Sequence, residues 1–278
     1  MRRQFAVLGY PVAHSHSPPM QNAAFGATGL DAVYRAIEVA PDALESTLQA
    51  LHAEGYEGLN VTLPHKEAAL RLALSASEEA RAVGAANTLR RTESGWEAHA
   101  TDGPGFLAWM DERGVELSGA QVLLLGAGGA ARGVAWSLLS RRVAAIDVAS
   151  RSGARARTLI TDMEANAQHW TRLTAAALSE TPSERDGPRW SLLIRALSSE
   201  ELTPGEERWW SGLSPRGLAV DLNYGARAKA AQALATQMHR RFEDGREMLL
   251  QQGALSFTHW TGLAAPIAAM RAALTAAS

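Results

Sequence analysis

Cysteine is absent from all 278 residues. That excludes disulfides, thiolate catalysis and cysteine–zinc sites, and it fits a reducing cytoplasm. Lysine is almost absent, with Lys66 and Lys229 the only two against 25 arginines. There is little excess charge of either sign. A formal net charge of −2 with no basic stripe gives no electrostatic basis for binding nucleic acid or an acidic membrane surface. Aromatic residues make up 6% of the chain, and Trp190, Trp209, Trp210 and Trp260 read as packing residues rather than a stacking platform. No run approaches the ~20 apolar residues of a membrane span, and the apolar stretch after Met1-Arg2-Arg3 is too short for a signal peptide. The histidines, including His14, His16 and His65, lack the spacing of a metal motif, so no metal site is expected. No internal repeat is found.

What is present is an alternation of strands and helices. Residues 5–8 read as a short apolar strand ended by Gly9-Tyr10-Pro11. Ser17 is a good N-cap and Pro18 suits the first helical position that follows. Residues 33–39 alternate as a strand, Pro41-Asp42 opens a helix running to about residue 54, residues 55–62 hold the next strand, and Pro64 opens a further helix. This β-α-β-α-β-α order predicts a mostly parallel sheet covered by helices. Residues 89–100 read as a hairpin turning at Glu93-Ser94-Gly95, and Gly103-Pro104-Gly105 as a break before the next helix. Later strands are expected at 121–125, 143–149, 190–194 and 218–222 with helices between them, a polar surface loop at 181–188, and a helical tail from 243 to 277. The length favours two domains.

Two stretches carry the chemistry. The first is Gly126-Ala127-Gly128-Gly129-Ala130-Ala131-Arg132, which follows the apolar run Gln121-Val122-Leu123-Leu124-Leu125. Strand, glycine turn and helix start in that order form a dinucleotide-binding pattern. The first Gly permits the tight turn, the second lets backbone N–H groups approach a pyrophosphate, and the helix N-terminus supplies positive potential. Asp147 is at the right distance for a ribose hydroxyl but lies inside its strand. At the strand end stand Ser150-Arg151-Ser152, with Arg155 one turn later. With Arg132, these form a basic, hydroxyl-lined pocket suited to a 2′-phosphate, so NADP is expected over NAD.

The second stretch is Asn60-Val61-Thr62-Leu63-Pro64-His65-Lys66. Lys66 falls in the first turn of a helix, beside the positive end of its dipole. A lysine kept there by a chain that otherwise uses arginine is a candidate acid/base. Asp102 ends the hairpin and is either a catalytic partner or the cap of the next helix. Ser15 and Ser17 can present hydroxyls to a polyol, and Asn87, in Gly84-Ala85-Ala86-Asn87-Thr88, is either a turn residue or a polar ligand group.

Together these motifs resemble the shikimate dehydrogenases over nearly the whole chain. The residues from Gly9 to Pro18 look like the family's substrate-binding Ser-x-Ser motif, and the Asn60 stretch is similar to its Asn-Val-Thr-x-Pro-x-Lys signature. Gly84-Ala85-Ala86-Asn87-Thr88, Thr101-Asp102-Gly103 and the glycine loop follow in the family's order. So do Asp221-Leu222-Asn223-Tyr224, then Asp244-Gly245 with Met248-Leu249-Leu250 and Gln252, and finally Trp260-Thr261-Gly262.

The resemblance implies an α/β protein with three parts. Residues 1–102 would form a mostly parallel substrate-binding domain and 103–240 a Rossmann-like NADP-binding domain. Residues 241–278 would be helices returning to the substrate domain. It further implies Lys66 and Asp102 as catalytic residues. Ser15, Ser17, Thr62, Lys66, Asn87, Asp102, Tyr224 and Gln252 would bind substrate. Gly126, Ala127, Gly128, Gly129, Ala130, Ser150, Arg151, Ser152 and Arg155 would bind cofactor. The implied reaction is reversible NADPH-dependent reduction of 3-dehydroshikimate to shikimate, in aromatic amino acid biosynthesis, by a cytoplasmic monomer or homodimer. A quinate or aminoshikimate dehydrogenase using NAD(P), and a weakly active ligand-binding paralogue, are the alternatives. The chain departs from the family's pattern at Ala100, at Ser150-Arg151-Ser152, at Ile194-Arg195-Ala196-Leu197 where Ile-Asn-Ala-Thr is usual, and at Ala226 and Lys229.

Overall fold

A computed structural model describes residues 2–164, 170–180 and 189–277. The chain forms two compact units, one of Met1–Ala108 with Leu249–Ser278 and one of Trp109–Met248. The surface loop expected at 181–188 lies outside the described residues.

In the first unit the elements run β1 (Arg3–Gly9), α1 (Ser17–Thr28), β2 (Ala32–Glu38), a 3-10 turn (Pro41–Ala43), α2 (Leu44–Ala53), β3 (Gly58–Val61), α3 (Lys66–Leu72), β4 (Ser75–Ala76), α4 (Glu78–Val83), β5 (Thr88–Arg91), β6 (Trp96–His99) and α5 (Asp102–Glu112). Six strands form one sheet in the order β2-β1-β3-β5-β6-β4. β1 pairs parallel with β2 and β3, whereas β5 pairs antiparallel with β3 and β6. The period-two alternation of β1 sorts its side chains between two cores. Phe5 and Val7 join one apolar cluster, while Ala6 and Leu8 join another with Leu44, Leu48, Leu59 and Val61. The Phe5 cluster includes Met20 and Phe25 of α1 and the returning helices α10 (Arg246–Thr261) and α11 (Ile267–Ala276), through Phe257, Trp260 and Met270.

The second unit contains β7 (Gln121–Leu125), α6 (Gly129–Leu139), β8 (Ala145–Ser150), α7 (Gly153–Glu164), β9 (Arg172–Ala177), β10 (Trp190–Arg195), α8 (Glu206–Trp210), β11 (Leu213–Asp221), α9 (Lys229–Gln237) and β12 (Arg241–Asp244). Its six strands are all parallel, in the order β12-β11-β10-β7-β8-β9. The order reverses between β7 and β10, as in a doubly wound sheet. Trp190, Trp209 and Trp210 are buried in the core of this unit, as packing residues.

Several local readings are corrected. Ser17 is the first helical residue and not the cap; His16 holds the cap position without a side-chain hydrogen bond, and Pro18 is second. Pro64 precedes α3 by two residues, with a cis Leu63–Pro64 bond. Gly103-Pro104-Gly105 does not break the chain but forms the first turns of α5. Proline fits there because the first-turn N–H groups have no helical partner. Glu243 and Asp244 belong to β12, paired with Val220 and Asp221. β9 falls in a stretch read as helical, because its Ala-rich sequence has helical propensity that pairing with β8 overrides.

Gly105 shows why a glycine sits inside α5. A Cβ there would lie 2.6 Å from the Gln252 backbone nitrogen and 2.7 Å from its Cβ. The close approach of α5 and α10 therefore outweighs the ~1 kcal/mol that glycine loses against alanine within a helix. Gly105→Ala is expected to destabilise the fold by about 1–3 kcal/mol, read as a lower urea midpoint at unchanged slope.

Candidate active site

The site in the first unit is assembled from the starts of two helices. Lys66 is the first residue of α3 and Asp102 the first of α5. Lys66 Nζ donates to Asp102 Oδ2 at 2.5 Å, and both side chains are only 12% exposed. α3 is held to the 84–88 stretch by Ala86 N–H donating to the Lys66 carbonyl at 3.0 Å. On its other side, buried His65 donates through Nε2 to the Val39 carbonyl at 2.7 Å. That backbone contact gives His65 a structural role next to Lys66.

Asn87 is the hub around this pair. Its Nδ2 lies 3.0 Å from Asp102 Oδ1, 2.9 Å from Thr101 Oγ1 and 3.0 Å from Gln252 Oε1. Its Oδ1 accepts from the Thr101 backbone N–H at 2.7 Å. One NH₂ group has two hydrogens for three acceptors, so Asn87 can change partner when a ligand arrives. Gln252 is anchored by Nε2 donating to the Leu249 carbonyl at 2.9 Å. The structure thus joins Lys66, Asp102, Asn87 and Gln252 in one network of direct hydrogen bonds.

Ser17 connects to that network from below. Its hydroxyl hydrogen-bonds Tyr34, whose titration is pushed well above the usual phenol range, chiefly by burial. Tyr34 donates to Asn60 Oδ1 at 2.6 Å. Asn60 Nδ2 donates to the Asn87 carbonyl at 3.0 Å and to Ser256 Oγ at 3.0 Å, and Thr88 and Ser256 share a 2.7 Å hydroxyl contact. Ser15 Oγ accepts from the Ser17 N–H at 3.2 Å. Thr62 packs its methyl so close to Gly9 that a Cβ there would sit at 2.5 Å. Ser15, Thr62 and Lys66 are partly exposed, while Ser17, Asn87, Asp102 and Gln252 are buried. Tyr224 follows β11 and belongs to the second unit.

Sequence reasoning assigns no role to the supporting layer of Tyr34, Asn60, Thr88, Thr101 and Ser256. The available signal is Ser256, one helical turn after Gln252 on α10. Tyr34 carries none, because a tyrosine in an alternating strand reads as core.

The second unit holds the glycine loop. Gly126 follows β7 with φ +119, a conformation open to glycine. Its N–H donates to the Ala149 carbonyl at 2.7 Å, and a Cβ would lie 2.6 Å from the Ala196 carbonyl oxygen. Gly128 takes the cap position of α6, and no side chain caps the helix. A Cβ at Gly128 would meet nothing within 4 Å. Uncapped N–H groups under open space suit the close approach of a phosphate. Arg151, Ser152 and Arg155 are exposed at the end of β8, and Ser150 Oγ donates to the Ser152 carbonyl at 2.6 Å. Arg132, expected in that pocket, pairs with Asp162 of α7 at 2.8 Å.

Asp147 faces inward. It is bonded by Thr174 at 2.5 Å, Trp190 Nε1 at 2.7 Å and Arg172 at 2.9 Å. Burial pushes its carboxyl up, but these donors outweigh burial and hold it below the usual carboxylate range. Its oxygens are thus engaged within the sheet, which agrees with the choice against it as a ribose ligand. The departure at Arg195 also resolves. Arg195 is fully buried and pairs with Glu206 at 2.6 Å and Asp221 at 3.1 Å.

Burial pushes Asp221 from 3.8 up to about 6, despite the opposing effects of Arg195 and Asn223. The folded state therefore keeps this proton to higher pH than the unfolded chain. The contribution of this carboxyl to stability falls as pH rises from about 4 to about 6. Asp221→Asn is expected to remove that part of the pH dependence, leaving a flatter urea midpoint across the same window.

Three family descriptions match the sequence: "Shikimate dehydrogenase substrate binding domain" over residues 7–89, "Shikimate / quinate 5-dehydrogenase" over 110–181 and "Shikimate 5'-dehydrogenase C-terminal domain" over 245–275. The shikimate dehydrogenase (NADP(+)) of Anaeromyxobacter dehalogenans strain 2CP-C is 42% identical over 274 residues, spanning 98% of this chain and 95% of its own. The crystal structure of the Thermus thermophilus shikimate 5-dehydrogenase, in complex with NADP(H) and shikimate, is 32% identical. It superposes with a TM-score of 0.82 over 99% of this chain and 100% of that one. The ligand-free 5-ketofructose reductase of Gluconobacter sp. strain CHM43 shares the fold at 27% identity and a TM-score of 0.80, over 99% of each chain.

Proposed function

The chain belongs to the shikimate dehydrogenase family, and from that premise we propose that it catalyses the reversible NADPH-dependent reduction of 3-dehydroshikimate to shikimate. The observation that carries this reading is the Lys66–Asp102 pair, 2.5 Å apart and largely withdrawn from water, inside the hydrogen-bonded array of Asn87 and Gln252. A protein that only bound a polyol would have little need to shield an ammonium and a carboxylate together, since burying such a pair does not by itself stabilise a fold.

When bound, the nicotinamide supplies the hydride, or takes it in the reverse direction. Lys66 Nζ gives a proton to the ketone oxygen as negative charge develops on it, and in the oxidative direction takes that proton from the alcohol. Asp102 Oδ2 holds Nζ in place, while Oδ1 is oriented by Asn87 Nδ2. Ser15, Ser17, Thr62, Asn87 and Gln252 recognise the substrate's hydroxyls and carboxylate. Such an array rejects analogues lacking those groups, because its own donors and acceptors would be left unpaired. On the cofactor side, the uncapped start of α6 fits the pyrophosphate, and Arg151 and Arg155, with Ser150 and Ser152, would hold the 2′-phosphate. We place the enzyme in the cytoplasm as a monomer or homodimer. Among the described residues no helix is long and apolar enough to cross a membrane.

The deciding experiment is initial-rate oxidation of shikimate with NADP and NAD in parallel and quinate as second substrate. NADP-dependent turnover of shikimate is expected. Shikimate binding without turnover by any pair would sink the assignment in favour of a binding protein. Lys66→Ala is expected to lower kcat by about 10²–10⁴-fold while shikimate still binds, as calorimetry would show. Arg151→Asp should raise KM for NADP by roughly 10–100-fold, the loss of a charge-assisted contact, with far less effect on NAD.

A further inference from the structure

Arg195 ends β10 at the place where the strand order of the second unit reverses. Its guanidinium has five N–H donors, and the chain meets them from several directions. Nε donates to Glu206 Oε1 at 2.6 Å and Nη1 to Asp221 Oδ2 at 3.1 Å. Nη2 reaches the Ser199 carbonyl at 3.0 Å, Ser199 Oγ at 3.1 Å and the Glu201 carbonyl at 3.0 Å. Both carboxylates pass the connection on. Glu206 Oε2 accepts from the Thr203 N–H at 2.9 Å. Asp221 Oδ1 accepts from Asn223 Nδ2 at 2.9 Å, and the same amide donates to the Leu197 carbonyl at 2.8 Å. Residues 196–203, which form neither helix nor strand, are thus held at Leu197, Ser199, Glu201 and Thr203 by a network centred on one buried cation. The loop also abuts the glycine turn, with Ala196 N–H donating to the Leu125 carbonyl at 2.7 Å.

A dinucleotide on a doubly wound sheet crosses the strand ends at the reversal point. Here the residues proposed to read the 2′-phosphate follow β8, on one side of β7. The other half of the molecule would then run over the end of β10, where residues 196–203 lie. Leaving these irregular residues to be ordered only on binding would set their lost backbone entropy against the affinity. Holding them beforehand removes that cost from the affinity.

We infer that Arg195 is a positioning residue for the cofactor, fixing residues 196–203 as the preformed seat of the nicotinamide half without touching it. The inference rests on the NADP reading above. It accounts for a cation at a fully buried position in a chain where arginines are mostly exposed or partly so. It also predicts that the two halves of the cofactor respond differently when the network is cut.

The test is calorimetric titration of the full chain with NADP⁺ and with 2′,5′-ADP, which carries the 2′-phosphate but no nicotinamide. Arg195→Gln alone would strand two buried carboxylates, so it is paired with Glu206→Gln, which leaves only Asp221, still bonded by the Asn223 N–H and side-chain amide at 2.9 Å. Asn223→Leu is the second variant, cutting the tie to Leu197 while leaving Arg195 and its ion pairs in place. Each is expected to raise the Kd of NADP⁺ about tenfold, the effect of a competent loop populated about one tenth of the time, with 2′,5′-ADP unchanged. Equal weakening of both ligands would mean that the cluster merely supports the fold and would overturn the inference, as would unchanged NADP⁺ affinity. If the double variant fails to fold, Asn223→Leu decides by the same split. Failure of the wild type to bind either ligand would overturn the NADP reading itself, and this inference with it, a result distinct from a lost split.

Discussion

Charges taken out of water are tolerated only where their partners are close and the atoms around them are satisfied. The first unit meets that condition around Lys66 and Asp102. Lys66 Nζ is matched to one carboxylate oxygen and Asn87 to the other. Asn87 is in turn fixed by Thr101, whose hydroxyl contacts Ser256, and Ser256 touches Asn60 and Thr88. Strands β3 and β5 and helices α3, α5 and α10 all contribute to this one arrangement. Their packing is therefore a requirement of the charge pair as well as of the apolar core. Gly105 belongs to the same logic, since its missing Cβ lets α5 approach the backbone that carries Gln252.

The second unit applies the same constraint without a reacting group. Arg195, Glu206 and Asp221 are fully buried, and burial pushes the Asp221 carboxyl up to about 6. Asp147 is equally enclosed but has enough donors to stay well ionised. Two carboxylates in one sheet thus differ in titration because of the number and strength of the donors around them. The first case ties a loop to the strand ends; the second joins β8, β9 and β10 through Thr174, Arg172 and Trp190.

The balance of local and tertiary signals explains what can be read from the residues in order. β1, β7 and β10 are runs of buried apolar residues, and such runs announce themselves. The glycine loop is legible because its residues serve backbone geometry: Gly126 needs a positive φ and Gly128 an open face. β9 escapes a local reading because Arg-Leu-Thr-Ala-Ala-Ala suits a helix, and only its neighbour β8 makes it a strand. The break expected at Gly103-Pro104-Gly105 fails for a similar reason. Both residue types punctuate chains, yet at a helix start proline is permitted and the second glycine is required by a contact with residue 252.

By itself the sequence determined the alternation of strands and helices, the order of the motifs and the family to which they belong, and it singled out Lys66 and Asp102 as candidates to exchange or orient a proton. These are local matters of residue type, periodicity and spacing. Tertiary structure alone decided that Lys66 and Asp102, 36 positions apart, lie 2.5 Å from each other. It alone recruited Tyr34, Asn60 and Ser256 to support them. It also turned Arg132 toward Asp162 and buried Arg195 between two carboxylates. A side chain's partners are set by which elements pack together, and that depends on contacts distant in sequence that no local pattern encodes.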